Sequence, residues 1–129
     1  MISFNYETDF KLLNEAKISN WITKIIAHHN CKKEEISYVF CDDEYLHRLN
    51  VQYLNHDTLT DIISFDYSIG KTISGDIFIS VERVEDNAKD FDVDFNTELH
   101  RVIIHGILHY CGFKDKTEDD AKLMRAKED

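Results

Sequence analysis

Strand-like and helix-like patterns alternate along the whole chain, and this alternation restricts the possible folds more than any other feature. Segments rich in β-branched and aromatic residues predict four strands, at 2–7, 36–41, 61–68 and 72–80. Apolar residues at helical spacing predict five helices, at 10–30, from Asp42 through Tyr53, and at 81–91, 95–113 and 117–129. We therefore expect an α/β (α+β) fold in which a small mixed four-stranded sheet packs with about five helices.

Capping and turn residues refine this expectation at three places. Asp42 is placed to cap the helix that follows it, and Asn96 or Thr97 to cap the helix at 95–113. Gly112 is expected to end that helix in a left-handed turn. The strands at 61–68 and 72–80 are separated only by Ile69, Gly70 and Lys71, so they are predicted to form a hairpin.

Length and composition favour one soluble domain over residues 1–129. Hydrophobic residues make up 43% of the 129 residues, which is enough for a core of its own. No apolar run approaches the roughly 18 residues that a membrane span needs, and the first ten residues are acidic where a secretory signal would be basic. We expect a cytoplasmic protein without a membrane partner, whose cysteines (Cys31, Cys41 and Cys111) are reduced thiols.

The formal net charge of -10 limits how the chain could bind nucleic acid. A protein that holds nucleic acid by charge alone needs an excess of Lys and Arg. A role on nucleic acid would therefore need a local basic surface, a metal ion, or a partner that supplies the affinity.

The stretch HGILHYCGFKDK, at 105–116, carries the strongest candidate site. His105 and His109 are four residues apart, so on a helix their imidazoles share one face. After Gly112 the chain can turn back and bring the Asp115 carboxylate to the same ion. Two histidines and a carboxylate, with a position open for water, can form a catalytic zinc site. The alternative is a pair of core histidines on an apolar helix.

Glu98 lies on the same predicted helix face as the two histidines. It could hydrogen-bond toward the site and orient a ligand. It could equally be a first-turn glutamate that the helix dipole favours. Asp61 also has two interpretations: it could line the site, or it could belong with Asp57 and Thr60 to a turn that bonds local backbone amides.

Several blocks of the sequence resemble the YbeY family of bacterial endoribonucleases and rRNA maturation factors. HGILHYCGF is similar to that family's H-G-x-L-H-x-x-G-[YF] signature. LNVQYLNHDTLTDIISF (49–65), SGDIFIS (74–80) and ELHRVIIHGILH (98–109) resemble further family blocks, in family order. The resemblance covers roughly positions 45 to 128.

The resemblance implies a zincin-like metal-site helix and a metal-dependent endoribonuclease specific for single-stranded RNA. His105, His109 and Asp115 would hold one divalent metal, with Zn²⁺ expected, and the water on that metal would be catalytic. The implied role is 3′-end maturation of small-subunit rRNA and ribosome quality control. The expected partners are rRNA, the small ribosomal subunit and its assembly proteins, and not DNA.

Two departures from the family pattern affect the predicted mechanism. Lys114 and Asp115 stand where the family usually has Asp and the third metal-binding His, so a carboxylate is the expected third ligand and other divalent ions compete better with zinc. Leu54 stands where the family usually has an arginine. Residues that could supply the missing cation are Lys71, Arg83, Arg101 and Lys114; of these, sequence proximity to the histidines favours Lys114.

Two other functions compete with the nuclease. A zincin-like metallopeptidase would also use histidines on a helix, but Gly106 occupies the position of the general base in H-E-x-x-H. A non-catalytic ribosome assembly factor with a structural metal would not need the missing arginine.

Overall fold

The computed structural model describes residues 2–12, 14–54 and 61–111, with the backbone alone at Leu54. Four strands and four helices follow one another within these ranges: β1 (Ile2–Tyr6), α1 (Glu15–His28), β2 (Lys32–Cys41), α2 (Asp43–Leu54), β3 (Ile62–Asp66), β4 (Thr72–Ser80), α3 (Val81–Asp90) and α4 (Phe95–Tyr110). This confirms the predicted α/β fold and the first four predicted helices. The fifth, at 117–129, lies outside the described residues.

The strands form one mixed sheet in the order β1-β2-β4-β3. β1 pairs with β2 and β2 with β4 in parallel, whereas β3 pairs with β4 antiparallel. The predicted hairpin is therefore confirmed, and Ile69 and Thr72 exchange backbone hydrogen bonds at its turn. β3 is left at one edge of the sheet.

Strand β2 begins four residues earlier than the alternation predicted, at Lys32 instead of residue 36. The side chains of Lys32–Glu35 are exposed, so this part of the strand has no apolar alternation to reveal it. The pairing with β4 also shifts register between Lys33 and Ile36. Helix α1 in turn begins later than predicted, after Asn14, whose φ of 59° ends the preceding loop in a left-handed conformation.

Helix caps agree with the sequence at α2 and differ at α4. The Asp42 carboxylate accepts a hydrogen bond from the Tyr45 N–H at 2.8 Å, so the predicted cap of α2 is confirmed. The prediction that Asn96 or Thr97 caps α4 is wrong, because α4 begins at Phe95 with Asp94 as its N-cap residue. Asp94 makes no side-chain capping bond, so the helix starts without the local signal that the prediction relied on.

The main core lies between one face of the sheet and the helices α1, α3 and α4. Strand residues of alternating position, such as Tyr38, Phe40 and Ile77, face this core together with Ile22 and Ile103. The Tyr38 hydroxyl donates a 3.0 Å hydrogen bond to the Ile103 carbonyl, which ties the middle of α4 to the sheet. Helix α2 covers the opposite face through a smaller cluster of Cys41, Leu46 and Ile63. No helix within the described ranges is long and apolar enough to cross a membrane.

Candidate active site

Helix α4 carries both histidines of the predicted site. His105 is partly buried and His109, one turn later, is exposed. Gly106 lies between them and lets the helix approach the sheet closely, because a Cβ there would be 3.0 Å from Ile77 Cδ1 and 3.3 Å from Ile62 Cδ1. The two candidate histidines thus lie on the helix turns that pass next to β3 and β4.

The C-terminal end of α4 is fixed by Tyr110. Its hydroxyl is 3.0 Å from the carbonyl oxygen of Phe65 on β3 and 3.2 Å from that of Asp76 on β4. Burial raises the pKa of this phenol well above its ordinary value, so it remains a hydrogen-bond donor at neutral pH. Gly75 makes the contact possible, since a Cβ there would collide with the Phe65 carbonyl and the Tyr110 hydroxyl.

A cleft of about 230 Å³ lies beside His105, between the start of β3, the end of α3 and one side of α4. Its walls are formed by Asp61, Ile62, Asn87, Phe91, Glu98, Arg101, Val102 and His105. Three residues that the sequence singled out for the site, His105, Asp61 and Glu98, therefore meet at one place. We call this cavity the α4 cleft.

Glu98 is buried, with 4% of its surface exposed, although it belongs to the first turn of α4. A glutamate that served only the helix dipole would keep its carboxylate in water. Its position in the wall of the α4 cleft, with His105 two turns further on, instead favours the interpretation that it lies behind the site.

Arg101 is the one described candidate for the missing cation that lines the α4 cleft. Arg83, another candidate, is bound to Asp43 at 2.8 Å and to Asp86 at 3.6 Å. Its hydrogen bond to Asp43 raises the pKa of its guanidinium. Lys71 lies in the β3–β4 turn, where its carbonyl accepts a hydrogen bond from the Lys32 N–H.

Part of the predicted site lies outside the described residues. This holds for Asp115, Lys114, Gly112, Asp57 and Thr60. Within the ranges 2–12, 14–54 and 61–111, no group of three or more His, Cys, Asp and Glu side chains is placed to hold a metal ion. The predicted ligand set draws its third member, Asp115, from beyond those ranges.

No pattern in the sequence indicates that Asn87 and Phe91 line the α4 cleft. Asn87 belongs to α3 and Phe91 is the C-cap residue of that helix, in a segment whose pattern indicates only an amphipathic helix. Phe91 is 53% exposed and lines the cleft, so it gives the cleft an aromatic lip. Only the packing of α3 against α4 brings these side chains to His105.

The cysteines agree with the prediction of reduced thiols. All three are free: Cys31 and Cys41 are buried and Cys111 is partly buried. Burial raises the pKa of Cys41 to about 12 and that of Cys111 to about 12, so both thiols are protonated at neutral pH.

Comparison with known proteins identifies relatives over the full chain. The family model described as Endoribonuclease YbeY matches residues 3–129. An Endoribonuclease YbeY from Flavobacterium johnsoniae is 66% identical over 129 residues, covering 100% of this chain and 93% of the relative. One from Christiangramia forsetii is 57% identical over 128 residues, covering 99% and 90%.

A solved structure has the same fold. The solution structure of TM1509 from Thermotoga maritima superposes with a TM-score of 0.65 and covers 99% of this chain and 89% of the other. Its sequence identity of 24% makes this a likeness of fold alone.

Proposed function

The chain belongs to the YbeY endoribonuclease family, and from this premise we propose that it is a metal-dependent endoribonuclease that cuts single-stranded RNA. We further propose that it acts in 3′-end maturation of small-subunit rRNA and in ribosome quality control. Its partners would be rRNA, the small ribosomal subunit and its assembly proteins in the cytoplasm.

The observation that carries the proposal is the α4 cleft, in which His105 shares a wall with Arg101. An imidazole that can bind a metal and a guanidinium that can bind a phosphate are groups suited to metal-dependent cleavage of a phosphodiester. The exposed ring of Phe91 at the lip offers a surface on which an unpaired base can stack. A paired duplex would keep its bases away from such a ring.

The residues present fit a divalent metal. His105 and His109 share one face of α4, and the exposure of His109 leaves that end of the face open to a third ligand. Asp115 would supply it, and two imidazoles with one carboxylate suit Zn²⁺. A bound metal would supply a Lewis acid and lower the pKa of a water molecule toward neutrality.

The chain's other residues would position the RNA and the ligands. Arg101 would bind the scissile phosphate and stabilise the negative charge that develops on it. Glu98 would hold the His105 ring in the orientation that ligation needs. Asp61, which lines the same cleft, would accept a hydrogen bond from the ribose. Lys114, which sequence proximity favours as the replacement for the missing arginine, lies outside the described residues and stays a prediction.

Elemental analysis and RNA cleavage together test the proposal. The protein is purified without a histidine tag, and its bound metal and its cleavage of a single-stranded RNA are measured with added Zn²⁺, Mn²⁺ or Mg²⁺. We expect about one metal per chain, and we expect His109→Ala and Asp115→Ala to lose most of it, with at least about a 100-fold loss of cleavage.

His28→Ala is the matched control, since His28 is an exposed histidine in the last turn of another helix, α1. It should keep both metal and activity. A wild-type chain that takes up no metal and cuts no RNA would contradict the proposal. So would rescue of rRNA processing in cells by a folded His105→Ala/His109→Ala variant, which would favour a docking role.

A further inference from the structure

A second cavity, of about 510 Å³, lies on the side of α4 opposite the α4 cleft. It is formed by the loop after β1, the start of α1 and the start of α4. We call it the aromatic groove because four of its lining residues have rings. Its principal residues are the rings Phe10, Trp21, Phe95 and His100 and the lysines Lys11 and Lys17. None of these residues belongs to the proposed catalytic site.

The rings of the groove form two edge-to-face pairs. Trp21 and His100 have centroids 5.6 Å apart with an interplanar angle of 63°, and Phe10 and Phe95 are 6.0 Å apart at 68°. All four side chains are only partly buried and line the cavity, so ring surface is open to a ligand. Burial lowers the pKa of His100, which keeps this imidazole neutral at pH 7 and able to stack.

The charge of the groove is opposite to that of the chain. The whole protein has 25 acidic and 15 basic residues, yet the described residues that line the groove include two lysines and no Asp or Glu. Both lysines, Lys11 and Lys17, are exposed. The carboxylate of Glu15, which lies between them in sequence, accepts a hydrogen bond from the Tyr6 hydroxyl and is not part of the lining.

Hydrogen bonds hold residues 7–12, the described part of one wall of the groove, in place before any ligand arrives. The Tyr6 hydroxyl accepts a 3.2 Å hydrogen bond from the Leu12 N–H while it donates to Glu15. Within the loop, the Phe10 N–H donates to the Thr8 carbonyl at 2.8 Å. Phe10 and Lys11 are thus presented by an ordered turn, which lowers the entropy cost of binding.

We propose that the aromatic groove binds a segment of single-stranded RNA, with bases stacked on Trp21 and His100 and phosphates beside Lys11 and Lys17. Stacking rings next to cations are how proteins bind unpaired nucleic acid without reading its sequence. An acidic polypeptide would also match the lysines, but it would make little use of the exposed ring faces. The inference rests on the proposed function for its choice of RNA as the ligand.

Trp21 gives a direct readout, because it is the only tryptophan in the chain. The full chain is titrated at low salt with a nuclease-resistant 2′-O-methyl phosphorothioate oligouridine of about 12 nucleotides. We expect saturable quenching of Trp21 emission as bases stack on its ring. Poly-L-glutamate, titrated in the same way, should leave the emission unchanged.

Charge variants distinguish RNA binding in the groove from general electrostatic attraction of RNA to the protein. Lys11→Gln/Lys17→Gln should weaken binding and reduce the magnitude of the slope of log K against log salt by about 1.4, which corresponds to two lost phosphate contacts on a single strand. The matched control is Lys24→Gln/Lys89→Gln, which removes two exposed lysines outside the groove and should keep the wild-type slope.

Three outcomes would overturn the inference: unchanged Trp21 emission when labelled oligouridine is shown by anisotropy to be bound, a groove variant identical to the wild type, or quenching by poly-L-glutamate alone. Cleavage assays on the same preparations keep the two proposals apart. Cleavage that depends on His109 without a Trp21 response refutes the groove only, whereas quenching without cleavage refutes the nuclease only.

Discussion

The two sides of α4 differ in the chemistry that they present. The α4 cleft is small and mixes acidic, basic and imidazole groups, whereas the aromatic groove is about twice as large, apolar and bordered by lysines. Both take residues from the same helix: Glu98, Arg101 and His105 face one, and Phe95 and His100 face the other. The polar residues and the aromatic residues of α4 are thus separated because they lie on different sides of the same helix.

If the two proposals are correct, we expect substitutions to alter catalysis and substrate binding independently. Substitutions on the cleft side should change the rate of cleavage, and those on the groove side should change how RNA is held. Three substitutions test whether the two sides are separate, with expected effects that decrease in the order Gly75→Ala, Arg101→Gln and His100→Gln.

Gly75→Ala should have the largest effect, because it acts on the position of α4 itself. The added methyl group would collide with the Phe65 carbonyl and the Tyr110 hydroxyl, neither of which can easily move. We expect a loss of about 3 kcal/mol in unfolding free energy, the upper part of the range for overpacking. Urea denaturation followed by circular dichroism measures it.

Gly70→Asn is the matched control for Gly75→Ala. Gly70 has a φ of 59°, a left-handed conformation that Asn tolerates, and a Cβ there would meet nothing within 4 Å. Gly70→Asn should lower the unfolding free energy by less than about 1 kcal/mol. Equal costs for the two variants would show that the contact between Gly75 and Tyr110 does not hold α4.

Arg101→Gln should lower kcat/KM for RNA cleavage by about 10-fold to 100-fold, the value of one hydrogen bond to a charged group. Because Arg101 lines the α4 cleft and not the aromatic groove, oligouridine should quench Trp21 as in the wild type. Lys89→Gln, on the exposed side of α3, controls for the loss of one positive charge. If Arg101→Gln reduced the quenching of Trp21 and left cleavage unchanged, Arg101 would act in RNA binding and not in catalysis, contrary to the prediction.

His100 should give the smallest effect, seen as a dependence of stability on pH. Burial lowers the pKa of its imidazole in the folded chain below the value of about 6.5 in the unfolded chain. The contribution of His100 to the stability of the folded chain is therefore fully present above about pH 6.5. It is lost as the pH falls through the pKa of His100 in the folded chain.

Thermal melts of the wild type and His100→Gln measure this dependence. Between about pH 7.5 and pH 5, the Tm of the wild type should fall further than that of the variant. Parallel plots of Tm against pH for the two proteins would mean that the His100 imidazole is equally hydrated in the folded and unfolded chains. The aromatic groove would then expose His100 to water more than the structure indicates.

Much of the fold could be predicted from the sequence because the signals are local. The hairpin of β3 and β4 follows from two β-rich runs and a short turn, and Asp42 caps α2 as its position before the helix predicts. The start of α4 could not be predicted, since Asp94 precedes the helix without making a side-chain capping bond. The polar first half of β2 was missed because exposed strand residues carry no alternation.

Helical spacing is the signal from which the sequence predicts the candidate site. His105 and His109 follow from a four-residue interval, and Glu98 from the same helix face. Arg101 stands four residues before His105 on the same helix, so this interval could also have distinguished it from the other candidate cations. The aromatic groove joins Phe10, Trp21 and Phe95, which are far apart in sequence, so no local pattern could reveal it.

The contact of Tyr110 with two strands has a consequence for how the protein opens. One hydroxyl links the last turn of α4 to β3 and β4 through the Phe65 and Asp76 carbonyls. Local opening that frees β3 from the edge of the sheet should therefore release the end of the histidine helix as well. In amide hydrogen exchange, the amides of β3 and of the last turn of α4 should lose protection together as one cooperative unit.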